Sequence, residues 1–280
     1  MSKLSNSLKQ LINAPFARPN TTPAPQDIGA LYNSIGKHAT SKKVPPATWL
    51  TLTGSATFTL NSPASLTTLY NTYTSHHKRE RISAAELMRE VGLKCIGLNG
   101  VPRTINCLNA FHPNLPEDVK AGLTRTPSRT PSADNIEATK RRGRALWDSI
   151  YRPFEGKLID KLASTHPDLP VHIVNSEYGL LFSDPPRDDV PGRGVGRIGM
   201  SVVAVACLRA QTGVGPQVLS HIYGLRKSLD DGSWDDGTVS EEGARWLASD
   251  EGGEWMLGSV DAIVEKVSSG EGGTFAKAKL

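Results

Sequence analysis

Cysteine is scarce in this 280-residue chain: Cys95, Cys107 and Cys207 stand far apart, and no two of them form a Cys-x-x-Cys pair. A disulfide framework is therefore excluded, and reduced, buried thiols are the expectation. Long apolar runs are missing as well. Nothing approaches the roughly 18 consecutive apolar residues of a membrane span. The first 30 residues also lack the compact apolar core of a secretory signal. Metal-ligand spacing is absent from the seven histidines, His76 and His77 being adjacent but on different sides of a helix. The acidic cluster Asp230, Asp231, Asp235 and Asp236 misses the spacing of a calcium loop. Neither a metal nor any other cofactor is expected.

Acidic residues are nearly missing from the first 46 positions. Lys3, Lys9, Arg18, Lys37, Lys42 and Lys43 face Asp27 alone there, which leaves that arm at +5 and the rest of the chain at -1 of the total +4. A neutral body with few clustered aromatics excludes a nucleic-acid partner, because phosphate binding needs a basic face. The arm reads as flexible, ended repeatedly by Pro15, Pro19, Pro23 and Pro25. Leu4, Leu8 and Leu11 beside Lys3 and Lys9 also fit an amphipathic mitochondrial transit segment. The last residues, Ala278, Lys279 and Leu280, are a variant of the Ser-Lys-Leu address read by the peroxisomal import receptor, and follow a glycine-rich tail. The peroxisomal matrix is the expected compartment, with the mitochondrion as the alternative.

Between these ends the apolar spacing is mostly helical. Leu66, Leu69, Tyr70 and Tyr73 follow it, whereas Leu50, Leu52 and Leu60 alternate with Thr51, Thr53 and Thr59 and leave residues 48–60 open between strand and helix. Ser83 and Glu86 are spaced as a capping box, which predicts a helix start there. Leu87, Val91, Cys95 and Leu98 then form one stripe up to Asn99-Gly100. After that break Pro102 opens a second helix with Ile105, Leu108 and Phe111 facing inward. Four prolines between 113 and 134 predict a mobile connector. Beyond it Asp134 and Glu137 form a candidate cap, and Trp147, Ile150, Tyr151, Phe154, Leu158 and Leu162 predict a long helix. A short helix is expected over 172–182. Ile198 to Leu208 is apolar all round, as a central helix or, at Val202–Val205, a buried strand. Two more helices are expected around Val218–Leu225 and Leu257–Val267. Domain organisation follows: an arm over 1–46, one helical domain over 47–268 whose halves 47–112 and 135–268 flank the connector 113–134, and a flexible tail over 269–280.

The segment from Glu86-Leu87-Met88-Arg89-Glu90 through Gly100-Val101-Pro102-Arg103-Thr104-Ile105-Asn106 resembles the acid-bearing helix, turn and second helix of carboxymuconolactone decarboxylase-like proteins of the alkylhydroperoxidase D-like superfamily. Residues 197–224, with His221, are similar to that superfamily's apolar helix and His-containing helix. The resemblance implies an all-α fold of pseudo-repeated helical hairpins, assembled as a homo-oligomer. Its peroxidase branch uses a Cys-x-x-Cys motif that this chain lacks, so thiol peroxidase chemistry is not expected. Cys95 and Cys107 either meet across the hairpin or are core thiols. The decarboxylase branch implies a cofactor-independent enzyme that moves protons on a small organic acid or lactone. Glu86, Glu90 and His221 are then the candidate acid–base groups, and Asn99, Arg103 and Asn106 the candidate substrate-binding groups. Glu86 is already explained by its capping box, more so than by catalysis, and His221 equally by a helix histidine at a subunit contact. A non-catalytic oligomerisation or partner-binding role on the same fold is the alternative. Gly194-Val195-Gly196-Arg197-Ile198-Gly199 matches a dinucleotide fingerprint in spacing but follows a loop rather than a strand, which excludes that reading.

Overall fold

The computed structural model describes residues 3–186, 190–192 and 194–268, and all regular structure among them is helical. In chain order the helices are α1 (Asn6–Ile12), α2 (Ile28–Ser41), α3 (Pro46–Thr59), α4 (Pro63–Thr74), α5 (Arg81–Lys94), α6 (Ile96–Asn99), α7 (Val101–Phe111) and α8 (Glu117–Gly122). There follow α9 (Ile136–Tyr151), α10 (Glu155–Thr165), α11 (Asp168–His172), a π-helix (Ile173–Phe182), α12 (Gly196–Gln211), α13 (Gly215–Asp230), α14 (Glu241–Leu247) and α15 (Asp250–Val267). No helix among the described residues is long and apolar enough to cross a membrane. Ala278, Lys279 and Leu280 lie outside the described residues.

Two helices form the centre. α12 is buried around almost its whole circumference, as its apolar sequence predicts, and it packs on α3, which is buried from Thr48 to Thr59. The strand reading of 48–60 is thereby corrected. Threonine is a poor helix former because its hydroxyl competes with the backbone. Here that hydroxyl is turned onto the helix itself: Thr51 Oγ1 donates to Ala47 O (2.7 Å), Thr53 Oγ1 to Trp49 O (2.9 Å), Thr57 Oγ1 to Thr53 O (2.7 Å) and Thr59 Oγ1 to Ser55 O (2.8 Å). Polar groups satisfied within their own helix can be buried without partners elsewhere. α5, α4, α2 and α15 surround α3.

The expected arm is not all arm. α2 lies within it and buries Ile28, Tyr32, Ile35 and Ala39, with Tyr32 Oη 2.7 Å from Thr57 Oγ1, so the packed body begins at Ile28. The connector also carries structure: α8 buries Val119, and Leu123 follows it into the core. The capping box does not form, because α5 starts at Arg81, three residues before the Ala84 that a Ser83 cap would open. Ser83 Oγ donates to Glu80 O, and Glu86 turns to other partners. Asp134 and Glu137 do not cap α9 either; its first flanking residue is Asn135.

Gly100, at φ +81, turns the chain between α6 and α7, a conformation that glycine adopts without strain. Its tip, with Val101 and Pro102, lies in solvent, so the bend is not seated inside the body; only its flanks Asn99 and Arg103 face inward. Ile105 is exposed, while Cys107 and Phe111 carry the buried face of α7. The expected helix over 172–182 is a π-helix, its end marked by Ser183 N donating to Tyr178 O (2.9 Å), five residues back. It packs backbone to backbone against α9: a Cβ on Gly143 would lie 2.5 Å from Val174 O and 2.6 Å from Gly179 N.

Candidate functional site

The six candidate residues fall into three neighbourhoods. The first lies along the buried face of α5. Glu86 accepts two bonds from Arg89 Nη1, at 3.0 and 2.9 Å, and one from Thr124 N at 2.6 Å. One turn on, Glu90 takes a two-pronged pair from Arg129, whose Nη1 lies 3.0 Å from Oε2, while Arg129 Nε donates to Leu180 O at 2.7 Å. Lys94, wholly buried, follows at the next turn. Its Nζ is 3.3 Å from Glu90 Oε1 and 2.8 Å from Asp184 Oδ1, and it donates to Phe182 O (2.7 Å) and Leu181 O (3.3 Å). Asp184 in turn accepts from Gly196 N (2.8 Å) and Val195 N (3.3 Å), which ties this chain of charges to the first turn of α12. Burial opposes ionisation of Asp184, but Lys94 and the two amides outweigh it and hold its carboxyl below the usual range.

Beside this network a recess of about 620 Å³ opens between α5 and residues 124–131. Glu86, Glu90, Arg89, Arg125 and Arg129 all line it, together with Leu93 and Leu108. Two carboxylates and three guanidinium groups thus share one concavity of a size that takes small organic molecules.

The second neighbourhood joins Asn99 and Arg103 to the end of α3. Asn99 Nδ2 donates to Thr59 Oγ1 (2.9 Å) and reaches Cys207 Sγ (3.5 Å), and Arg103 Nη1 donates to Thr59 O. Burial lowers the Arg103 pKa. Asn106, one turn further, is exposed and donates to Asn61 Oδ1 at 3.2 Å. Cys95 meets Cys207, with Sγ atoms 3.5 Å apart, rather than Cys107. All three thiols are buried; burial pushes Cys95 well up and Cys107 up to about 12.

His221 defines the third. It is buried on α13, its ring centroid 6.1 Å from that of Tyr151, and its Nδ1 has no hydrogen-bond partner among the described residues. Burial, with Arg197 adding to it, lowers its pKa to about 3, so the imidazole is neutral. Arg197 sits alongside, donating to Ser149 Oγ (2.7 Å), Ser201 Oγ (2.7 Å), Ser149 O (3.1 Å) and Gly224 O (2.8 Å). Tyr151 and Tyr178 complete the group with hydroxyls 3.0 Å apart.

The structure therefore brings Glu86 and Glu90 to one recess and leaves Asn99, Arg103, Asn106 and His221 out of its lining. Lys94, Asp184, Arg129 and Arg197 are missed by sequence reasoning. Glu90 and Lys94 did carry a signal, since they are spaced i, i+4 as an ion pair. That spacing ordinarily marks a solvated face, and only the apolar stripe on which it lies points inward.

No family model matches the chain, and no solved structure matches it. Among curated proteins it is similar to Peroxisomal protein 2 of Saccharomyces cerevisiae (strain ATCC 204508 / S288c), at 28% identity over 155 residues, which cover 49% of this chain and 52% of that protein. The chain thus matches about half the length of that relative.

Proposed function

We propose that this is a peroxisomal, carboxymuconolactone decarboxylase-like protein that takes a small organic acid or lactone into the recess between α5 and residues 124–131. It moves a proton there without a cofactor. The observation that carries this reading is the placing of Glu86 and Glu90, both buried, on a recess wall that also presents Arg89, Arg125 and Arg129. Guanidinium groups supply the forked donors that a carboxylate ligand matches. Glu90 is the proton acceptor and Glu86 orients Arg89. Asn99, Arg103 and His221 support the fold around the site rather than touch the substrate.

The test is proton NMR in D2O on the full chain with a panel of short organic acids and γ-lactones. Saturation transfer reports binding, and loss of the signal α to the carbonyl reports proton exchange. Binding by the wild type, weakening on Arg125→Ala, and exchange slowed about 100-fold by Glu90→Gln with binding retained are the expected results. Absence of binding across the panel would overturn the reading. Binding without exchange would favour the second reading, a non-catalytic binding protein. The specific observation for that alternative is that both carboxylates already accept from cationic donors.

The compartment rests on the name of the similar yeast protein and on Ala278-Lys279-Leu280 as a sequence for the peroxisomal import receptor. A fluorescent protein fused ahead of Met1 is expected to colocalise with a peroxisomal matrix marker and to become diffuse when those three residues are removed. An unchanged pattern would refute the assignment. The resemblance also implies a homo-oligomer, which light scattering on the same preparation measures.

A further inference from the structure

A second concavity, of about 460 Å³, lies between α10 and α13 and is lined also by Ile150 and Tyr151 of α9. Its walls are apolar side chains left facing water: Phe154 is 59% exposed, Leu219 55% and Tyr223 51%, with Leu158 half-buried between them. Three large apolar groups exposed around one groove are a feature that folding alone does not favour, and such patches mark binding surfaces. The polar groups of the lining are equally one-sided. Lys157 and Lys161 stand one turn apart on α10, and Lys227 faces from α13 with its Nζ 3.1 Å from Ile150 O. No carboxylate lines the groove; Glu155 acts on Lys227 from outside it.

That combination selects the occupant. A second copy of the chain docked through the same patch would set two triads of ammonium groups against each other, which costs free energy at close range. The side chains of residues 269–280 carry Lys277 and Lys279 against Glu271, a net positive charge that does not complement the lysines of the groove. The volume is that of a small-molecule site, apolar with a few placed charges. We propose that the groove between α10 and α13 binds an amphipathic carboxylate. Its hydrocarbon or aromatic body lies against Phe154, Leu219 and Tyr223, and its carboxylate is held by Lys157 and Lys161. Behind the groove, the edge-to-face packing of Tyr151 on His221 and the Tyr151–Tyr178 hydroxyl contact hold the inner wall in place.

The groove shares no lining residue with the recess of α5, so the two proposals fail independently. The experiment is a fluorescence titration of the full chain with dansyl-undecanoate, followed by displacement with decanoate or with uncharged decan-1-ol. Saturable enhancement is expected, with decanoate displacing the probe at lower concentration than decan-1-ol. Lys157→Ala together with Lys161→Ala should weaken decanoate about tenfold, the joint effect of two solvent-exposed ion pairs, and leave decan-1-ol unchanged. Leu219→Asp, an exposed position that the fold does not need, should abolish probe binding while the circular dichroism spectrum stays that of the wild type. Equal displacement by acid and alcohol, or a titration insensitive to Leu219→Asp, would overturn the proposal. So would a dimer in light scattering that dissociates with Leu219→Asp, since a second copy would then occupy the groove.

Discussion

Replacing Lys94 by methionine is expected to destabilise the protein by about 3–5 kcal/mol, the range for removing one partner of a buried ion pair. Methionine matches the length of the lysine stem, so packing is largely kept and the loss is electrostatic. The ammonium group is wholly buried and is shared among Glu90, Asp184 and two carbonyls of the π-helix. Without it Asp184 keeps only its backbone amides, and the carbonyls of Leu181 and Phe182 lose a charged donor. Urea unfolding measures the effect as a fall in midpoint at unchanged slope. Lys140→Met is the control, because its pair with Glu137 is exposed and is worth at most about 1 kcal/mol. Equal midpoints for the two variants would show that the Lys94 network contributes little. Lys94→Met combined with Asp184→Asn should recover part of the loss, since it removes the carboxylate left unpaired.

The legible part of this fold is the part built on apolar periodicity. The full apolar circumference of Ile198–Leu208 predicts a central helix and α12 is one; the spacing of Val218, Ile222 and Leu225, and of Val260, Val264 and Val267, matches α13 and α15. Periodicity failed where polar residues are buried by satisfying themselves locally. From Thr51 to Thr59 along α3 each second residue is a threonine or, at Ser55, a serine, and alternation imitates a strand until the threonine hydroxyls are seen to bond four residues back. α2 was concealed differently. Gly29, Gly36 and Thr40 weaken its helical signal, yet Gly36 is where the Trp49 ring packs, leaving 2.9 Å to any added Cβ. The capping box was a correct spacing put to another use, with Glu86 bonded to Arg89 and Thr124. Of the site, the two glutamates were visible as acids on an amphipathic helix. Their partners were not, because Arg129 lies 39 residues away in a proline-rich segment that reads as solvent-exposed. The meeting of Cys95 and Cys207 spans 112 residues, beyond the reach of any local pattern.

Mild acid is expected to destabilise the protein through His221. Its pKa is about 3 in the folded chain, against about 6.5 for an unperturbed imidazole, chiefly because burial disfavours the imidazolium and secondarily because Arg197 stands beside it. A depressed histidine means that the unfolded chain binds the extra proton first. Stability is therefore complete above pH 6.5 and declines as the pH falls toward 3, by about 2 kcal/mol between pH 7 and 5 and about 3 by pH 4. Asp184 acts in a lower window. Its folded pKa lies below its ordinary 3.8, so its contribution persists until the pH drops through that value. The remaining histidines are exposed on the surface. His221→Phe keeps an aromatic ring against Tyr151 and removes the titrating nitrogen whose Nδ1 has no partner to lose. Its unfolding free energy should vary by less than about 0.5 kcal/mol between pH 7 and 5, where the wild type loses about 2. Urea unfolding at pH 7, 6 and 5 decides the matter: parallel curves for the two proteins would mean that His221 is hydrated enough to titrate normally. The packing of Tyr151, Arg197 and His221 would then have to be looser than its geometry describes.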